Sequence, residues 1–323
     1  MRQLPKIPAD PKLLVGAGTA DDAGVYRLDR DRALVQTVDF FTPIVDDPFI
    51  YGQIAAANSL SDVYAMGGRP LTALNLLGVP PDAVPPPVIA AILRGGLDKA
   101  REARCTIVGG HTIRNAEPFY GMAVTGLVSP RRIMANTSAR PGDQLVLTKP
   151  LGTGIITTGI KLNLTSPALA RRAISIMRHL NSVGAELAEK GLVRSGTDIT
   201  GFGLLGHLGL ICRGSGVAAQ INANALPIVG KEVLRLIEQD CIPGGSRQNL
   251  KTADSLTDWG NATSAQKALL TDAQTSGGLL LCVALNQLGK VMKLLRKYRT
   301  PCAAVIGRIL RSTEPRIQIV SKD

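Results

Sequence analysis

The sequence predicts a mixed α/β (α+β) protein of two domains, and three observations carry that expectation. Its 323 residues correspond to about two domains of ~100–200 residues. With 45% hydrophobic but only 3% aromatic residues, the cores have to be built from Ala, Leu, Ile and Val, which suits helices laid on sheets. Strand-like β-branched runs also alternate with stretches of helical periodicity along the whole chain.

Residues 33–45 (ALVQTVDFFTPIV) have the composition of a strand, and Pro48 opens an Ala-rich helix over 48–66 that Gly67-Gly68 ends. Strands are expected at 70–79, 104–109 and 119–128, with a helix at about 88–103 and a Pro-rich loop at 80–87. The polar stretch 129–143 reads as a connection, which divides the chain into domains 1–140 and 141–323. The second domain opens with a strand at 144–150 and a Gly-rich turn, followed by one helical stretch at about 167–190. Further strands are expected at 217–222, 278–284, 303–310 and 316–320, and helices at about 202–213, 229–239 and 285–298.

Thirty-seven Lys and Arg against 25 Asp and Glu give a net charge of +12. Arg30, Arg32, Arg131, Arg132, Arg171, Arg172, Arg296 and Lys297 are scattered, however, without the interleaved aromatics that stack bases. No nucleic-acid partner is expected. The five cysteines form no C-x-x-C pair, and no apolar run of about 18 residues occurs. Reduced thiols, a cytoplasmic location and no membrane contact are the expectation.

Chemistry concentrates in acids. Thr19-Ala20-Asp21-Asp22-Ala23 sets two carboxylates after a Gly-containing loop, either a solvated turn or ligands for a hard cation such as Mg²⁺. Asp39 lies inside the apolar run LVQTVDFF, where an unpaired carboxylate is costly. Asp62 follows Asn58 by one turn of the Ala-rich helix, as a site residue or as a hydrogen-bonded structural pair. Asp198, in SGTDITGFG, either caps a helix or reaches a phosphate-bound metal.

No G-x-x-x-x-G-K-[ST] loop is present, and the G-x-G-x-x-G match at 201–206 lacks the acid that holds a ribose. Gly109-Gly110-His111-Thr112 offers backbone N–H groups to a phosphate or base, with His111 also readable as a bystander. Lys149, before a second Gly-rich turn, is a phosphate cation or a surface lysine.

Taken together, DPKLLVGAGTADDAGVY (10–26), TVDFFTPIVDDPF (37–49), IAAANSLSDVYAMGGRP (54–70), VGGHTI (108–113), LTKPLGTGI (147–155), TDITGFGLLGHL (197–208), PGGSRQN (243–249) and DAQTSGGLLL (272–281) resemble the selenophosphate synthetases. These belong to the aminoimidazole ribonucleotide synthetase-like superfamily. The resemblance implies ATP-dependent formation of selenophosphate from selenide, with phosphate and AMP as the other products. It implies Mg²⁺ held by Asp22, Asp62 and Asp198, and ATP lined by Thr19, Ala20, Asp21, Asp39, Asp62, Gly110, His111 and Thr112. It further implies a homodimer in which two N-terminal mixed sheets close a β-barrel, each with a C-terminal α/β sandwich.

One family feature has no match. Family members open with a Gly-rich segment bearing Cys or selenocysteine and then an essential Lys, whereas residues 1–16 read MRQLPKIPADPKLLVG. Lys6 and Lys12 stand in a different context, and no cysteine precedes Cys105. No catalytic residue is assigned, and Cys241 is the one substitute thiol worth examining. The alternatives are a nucleotide-binding homologue without turnover, acting as a regulatory module, and a thiamine-phosphate kinase. TGFGLLGHL and QTSGGLLL argue against the second.

Overall fold

A computed structural model describes residues 10–80 and 83–321. Lys6, most of the 1–16 segment and part of the 80–87 loop lie outside those residues. The first unit runs β1 (Leu13–Val15), β2 (Gly24–Arg27), β3 (Ala33–Phe41), α1 (Pro48–Ala65), β4 (Arg69–Val79), α2 (Pro86–Glu102), β5 (Thr106–Arg114) and β6 (Phe119–Val128). Its strands form one mixed sheet in the order β1-β2-β3-β6-β4-β5, antiparallel except for the β4–β5 pair that α2 connects.

Helix α1 starts where Asp47 accepts a hydrogen bond from Ile50 N and Pro48 presets the first turn. Its small residues let it be buried almost all round. A Cβ on Gly52 would lie 2.0 Å from the Ile92 carbonyl oxygen, so the α1–α2 crossing depends on that glycine. Among the described residues no helix lies over the opposite face of the sheet. Val38, Phe40, Leu74 and Val108 are exposed there, at 44% to 60% of their surface.

The second unit runs β7 (Gln144–Leu147), α3 (Thr153–Lys161), α4 (Pro167–Arg178), α5 (Val183–Glu189), β8 (Ser195–Asp198), α6 (Gly203–Ser215), β9 (Ala218–Asn222), α7 (Glu232–Glu238), α8 (Gly244–Ala253), β10 (Thr257–Asp258), α9 (Ser264–Thr271), β11 (Leu279–Val283), α10 (Leu288–Lys297), β12 (Ala304–Leu310) and β13 (Ile317–Val320). The sheet order is β10-β13-β9-β12-β7-β11-β8. Alternation along β7 sends Leu145 and Leu147 to a core shared with α6 and α9, and Val146 to one shared with α5 and α10. The α/β sandwich is therefore covered on both faces.

Three expectations differ from what is observed. The Gly-rich turn after Pro150 opens a helix, α3, because Gly152 at φ 111° makes the bend and Thr153 starts the helix at once. The single stretch at 167–190 is two helices, since His179 is extended and Asn181 turns its amide into the core. Gly109–Thr112 belongs to edge strand β5 rather than to a turn: Gly110 pairs with Asn75, and a Cβ on Gly110 would sit 2.3 Å from the Asn75 oxygen.

Candidate active site

The four acids meet where the two units join. Asp22 precedes β2, Asp39 lies on the helix-facing side of β3, Asp62 lies on α1, and Asp198 ends β8. Each is held by a neutral donor. Thr37 Oγ1 donates to Asp62 Oδ2 at 2.5 Å, Thr197 Oγ1 to Asp22 Oδ1 at 2.6 Å, and Ser61 Oγ to Asp198 Oδ2 at 2.5 Å. Asn58 donates to Asp39 through its amide nitrogen. The Asn58–Asp62 pair allowed by helical spacing does not form. Asn58 serves Asp39 and accepts from Ser276 N at 2.8 Å instead.

The electrostatics are those of crowded anions. Burial, then Asp198, pushes the Asp22 carboxyl well above its usual range. Burial, then Asp198 and Asp22, does the same to Asp62. Asp198 is pushed up to about 6 by burial, with Asp39 adding to the rise and the Ser61 hydroxyl and Lys149 opposing it. Asp39 is raised by burial and eased by Asn58. Among the described residues the ion pairs join other side chains, and none of the four acids has a cationic partner in hydrogen-bond contact. A bound cation would remove that repulsion.

Among the described residues no three His, Cys, Asp or Glu side chains form a ready-made metal cage. Mg²⁺ does not require one: it keeps several waters and takes one or two carboxylates, with phosphate oxygens completing the octahedron. Two half-buried acids, Asp22 and Asp62, and the fully buried Asp198 fit that kind of shared coordination.

The Thr19–Asp21 loop is tied down from the connector. Asn136 N donates to Asp21 Oδ1 at 2.7 Å and its side-chain amide to the Ala20 oxygen at 2.9 Å, while Thr19 donates to Asp21. Ala20 sits at φ 50°, in the left-handed region. Thr19, Ala20, Asp21, Asp22, Asp39, Asp62 and Asp198 are thus brought to one junction.

Gly110, His111 and Thr112 are not part of it. They are exposed on β5, and the row Asp39–Met122–Asn75–Gly110 crosses three strand spacings, about 14 Å at ~4.8 Å each. Lys149 is not a surface lysine. It is 1% exposed, burial lowers its pKa to about 7, and its Nζ donates to the Ser276 oxygen at 2.7 Å.

Asp198 does not cap α6, which begins at Gly203 with Phe202 before it. Cys241 is fully buried with its thiol pushed up by burial, and Cys105, Cys212 and Cys302 are pushed up to about 11, 12 and 12 for the same reason. None is an activated nucleophile. Thr37, Ser61, Thr197, Asn136, Asn181, Ser276 and His207 complete the site. None of these was singled out by sequence, where hydroxyls and amides near an acid are ordinary.

Among the described residues no helix is long and apolar enough to cross a membrane. Residues 20–128 match the family "AIR synthase related protein, N-terminal domain" and residues 140–320 its C-terminal counterpart. Among solved structures, one of tt0281 from Thermus thermophilus aligns at TM-score 0.73 and 20% identity, covering 96% of this chain and 91% of that one. Thiamine-monophosphate kinase from Stenotrophomonas maltophilia K279a aligns at 0.69 and 21%, covering 95% and 91%. At those identities the likeness is one of fold. Sequence goes further: a selenide, water dikinase of Pelobacter propionicus is 46% identical over 314 residues, 97% of this chain and 90% of that protein. One of Clostridioides difficile is 43% identical over 321 residues, 99% and 92%. Similarity of that extent, across both units, means that the chain belongs to the selenide, water dikinase family.

Proposed function

We propose that this protein forms selenophosphate from selenide, ATP and water, releasing orthophosphate and AMP. The observation that carries the reading is the junction of four crowded acids with no cationic side chain in hydrogen-bond contact among the described residues, in a chain whose relatives over 97% of its length are selenide, water dikinases. Asp22, Asp62 and Asp198 are the proposed Mg²⁺ holders. Thr19, Ala20, Asp21, Asp39 and Asp62 line the ATP. When bound, Mg²⁺ neutralises charge on the phosphate oxygens and fixes their geometry for transfer.

The chain's own contribution is positioning. Thr37, Thr197 and Ser61 orient the carboxylates without neutralising them, and Asn136 holds the Thr19–Asp21 loop toward the nucleotide. The turnover-free alternative is not favoured at this level of similarity to named dikinases.

The working form is proposed to be a cytoplasmic homodimer, with each chain divided into domains at 140/141. Its support is the uncovered apolar face of Val38, Phe40, Leu74 and Val108 beside the open edge of β5. Covering that face with a second copy would also give Gly110, His111 and Thr112 a route to a nucleotide site. The five unpaired cysteines suit a reducing compartment.

The test is to incubate the protein anaerobically with Mg²⁺-ATP and selenide and follow ³¹P resonances. Selenophosphate, orthophosphate and AMP formed together is the expected result. ATP bound but left intact would overturn the reaction while leaving nucleotide binding.

A further inference from the structure

A backbone N–H can only donate. Thr200 N lies 3.1 Å from His207 Nε2, so that ring nitrogen accepts and carries no proton, with Thr200 Oγ1 a second donor at 3.2 Å. The hydrogen of the neutral ring is therefore on Nδ1, which lies 3.3 Å from Thr197 Oγ1 and donates to it. Burial holds the His207 pKa down at about 4, so the ring stays neutral. Having accepted from the ring, Thr197 has one hydrogen to give, and of the two acceptors in reach Asp22 Oδ1 at 2.6 Å is much nearer than the Asp198 carbonyl oxygen at 3.1 Å.

The arrangement has a mirror. Asn181 Nδ2 faces the Gly277 oxygen at 2.9 Å, a pure acceptor, which fixes which end of the amide is nitrogen. Its other hydrogen goes to Ser61 Oγ at 2.8 Å, leaving the Ser61 hydroxyl to donate to Asp198 Oδ2 at 2.5 Å. The two hydroxyls cross the junction in opposite directions. Thr197 on β8 reaches Asp22 of the first unit, and Ser61 on α1 reaches Asp198 of the second.

We infer that His207 and Asn181 are positioning residues, each fixing the direction of a hydroxyl so that it donates to a carboxylate of the opposite unit. The paired relays hold Asp22 and Asp198 in register for Mg²⁺-nucleotide. This rests on the reading of those two acids as Mg²⁺ holders.

The first measurement is direct. Long-range ¹H–¹⁵N correlation on the ¹⁵N-labelled full chain reports the tautomer of each of its three histidines. His207 is assigned by the loss of its signals in His207→Phe. If that variant does not fold, it is assigned by elimination with His111→Asn and His179→Asn. Protonation at Nδ1 alone is expected, and a ring protonated at Nε2 overturns the relay.

The second measurement compares Thr197→Val with Thr197→Ser by calorimetric titration of ATP, with and without Mg²⁺. The valine should lose on the order of tenfold of the affinity that Mg²⁺ adds, and the serine less than about threefold. Equal losses with and without Mg²⁺ would mean a merely structural threonine and would overturn the inference. Failure of the reaction itself reads differently: wild type that forms no selenophosphate while both relay results hold removes the activity and keeps the positioning role.

Discussion

Replacing Asp198 by Asn separates the cost of the acid cluster from its use. The side chain is 1% exposed, and its carboxyl titrates at about 6 rather than 3.8, chiefly through burial. Because the folded pKa lies above the unfolded one, the ionised group destabilises the metal-free fold. At 1.36 kcal/mol per pH unit the penalty is about 3 kcal/mol above pH 6, shrinks as pH falls from 6 toward 3.8, and is absent below. Asparagine keeps an oxygen for the Ser61 hydroxyl at 2.5 Å, so little hydrogen bonding is lost. In excess chelator at about pH 7.5, Asp198→Asn should therefore melt a few degrees above wild type. That advantage should close toward pH 4. With saturating Mg²⁺-ATP the order should invert, because wild type gains the binding free energy and the variant gains less. Differential scanning fluorimetry in chelator and in Mg²⁺-ATP at both pH values reads all of this. A variant that melts below wild type in chelator at neutral pH, or a gap that ignores pH, would refute the account of Asp198 as a carboxylate whose charge is penalised by burial and by the neighbouring acid.

Other outcomes follow from single contacts. Asp62→Asn should weaken Mg²⁺-dependent ATP binding by about tenfold, measured by titration calorimetry, with the circular dichroism spectrum unchanged. Gly52→Ala places a Cβ 2.0 Å from the Ile92 oxygen. It should cost about 1–3 kcal/mol in urea unfolding despite the better helix propensity of alanine. Val38→Lys, on a residue 57% exposed, should convert a dimer to a folded monomer in sedimentation velocity. A wild type that sediments as a monomer would remove the dimer proposal.

What could be read from sequence depended on whether a residue was out of place locally. Asp39 was legible because a carboxylate within LVQTVDFF has no local reason to be there, and Asp198 because it stands beside glycines at a strand end. Thr37, Ser61, Thr197, Asn181 and His207 carried no such signal. Hydroxyls and amides are ordinary in any helix or strand, and their partners are remote: Ser61 is 137 residues from Asp198 and Thr197 is 175 from Asp22. Long strands and helices with strong periodicity were legible for the same reason in reverse, since their pattern is local. Helix α8 (GGSRQNLKTA) was not, because its two leading glycines and polar composition look like a loop. Gly109–Thr112 misled for a related reason: paired glycines suggest a turn, but here they permit close backbone approach beside β4.

Helix α1 has a consequence for taking the molecule apart. It packs against β3, β6 and α2 on one side and against α4, α5 and β8 on the other. A fragment ending near residue 140 would uncover Ser61, Asn58 and Ala65, all buried in the intact chain, and would strand the polar groups that now meet Asp198 and Ser276. The two halves are distinct in topology yet share one keystone. Neither half should fold well in isolation, and neither should be exchangeable with its counterpart from a distant relative unless α1 is rebuilt to suit the new neighbour.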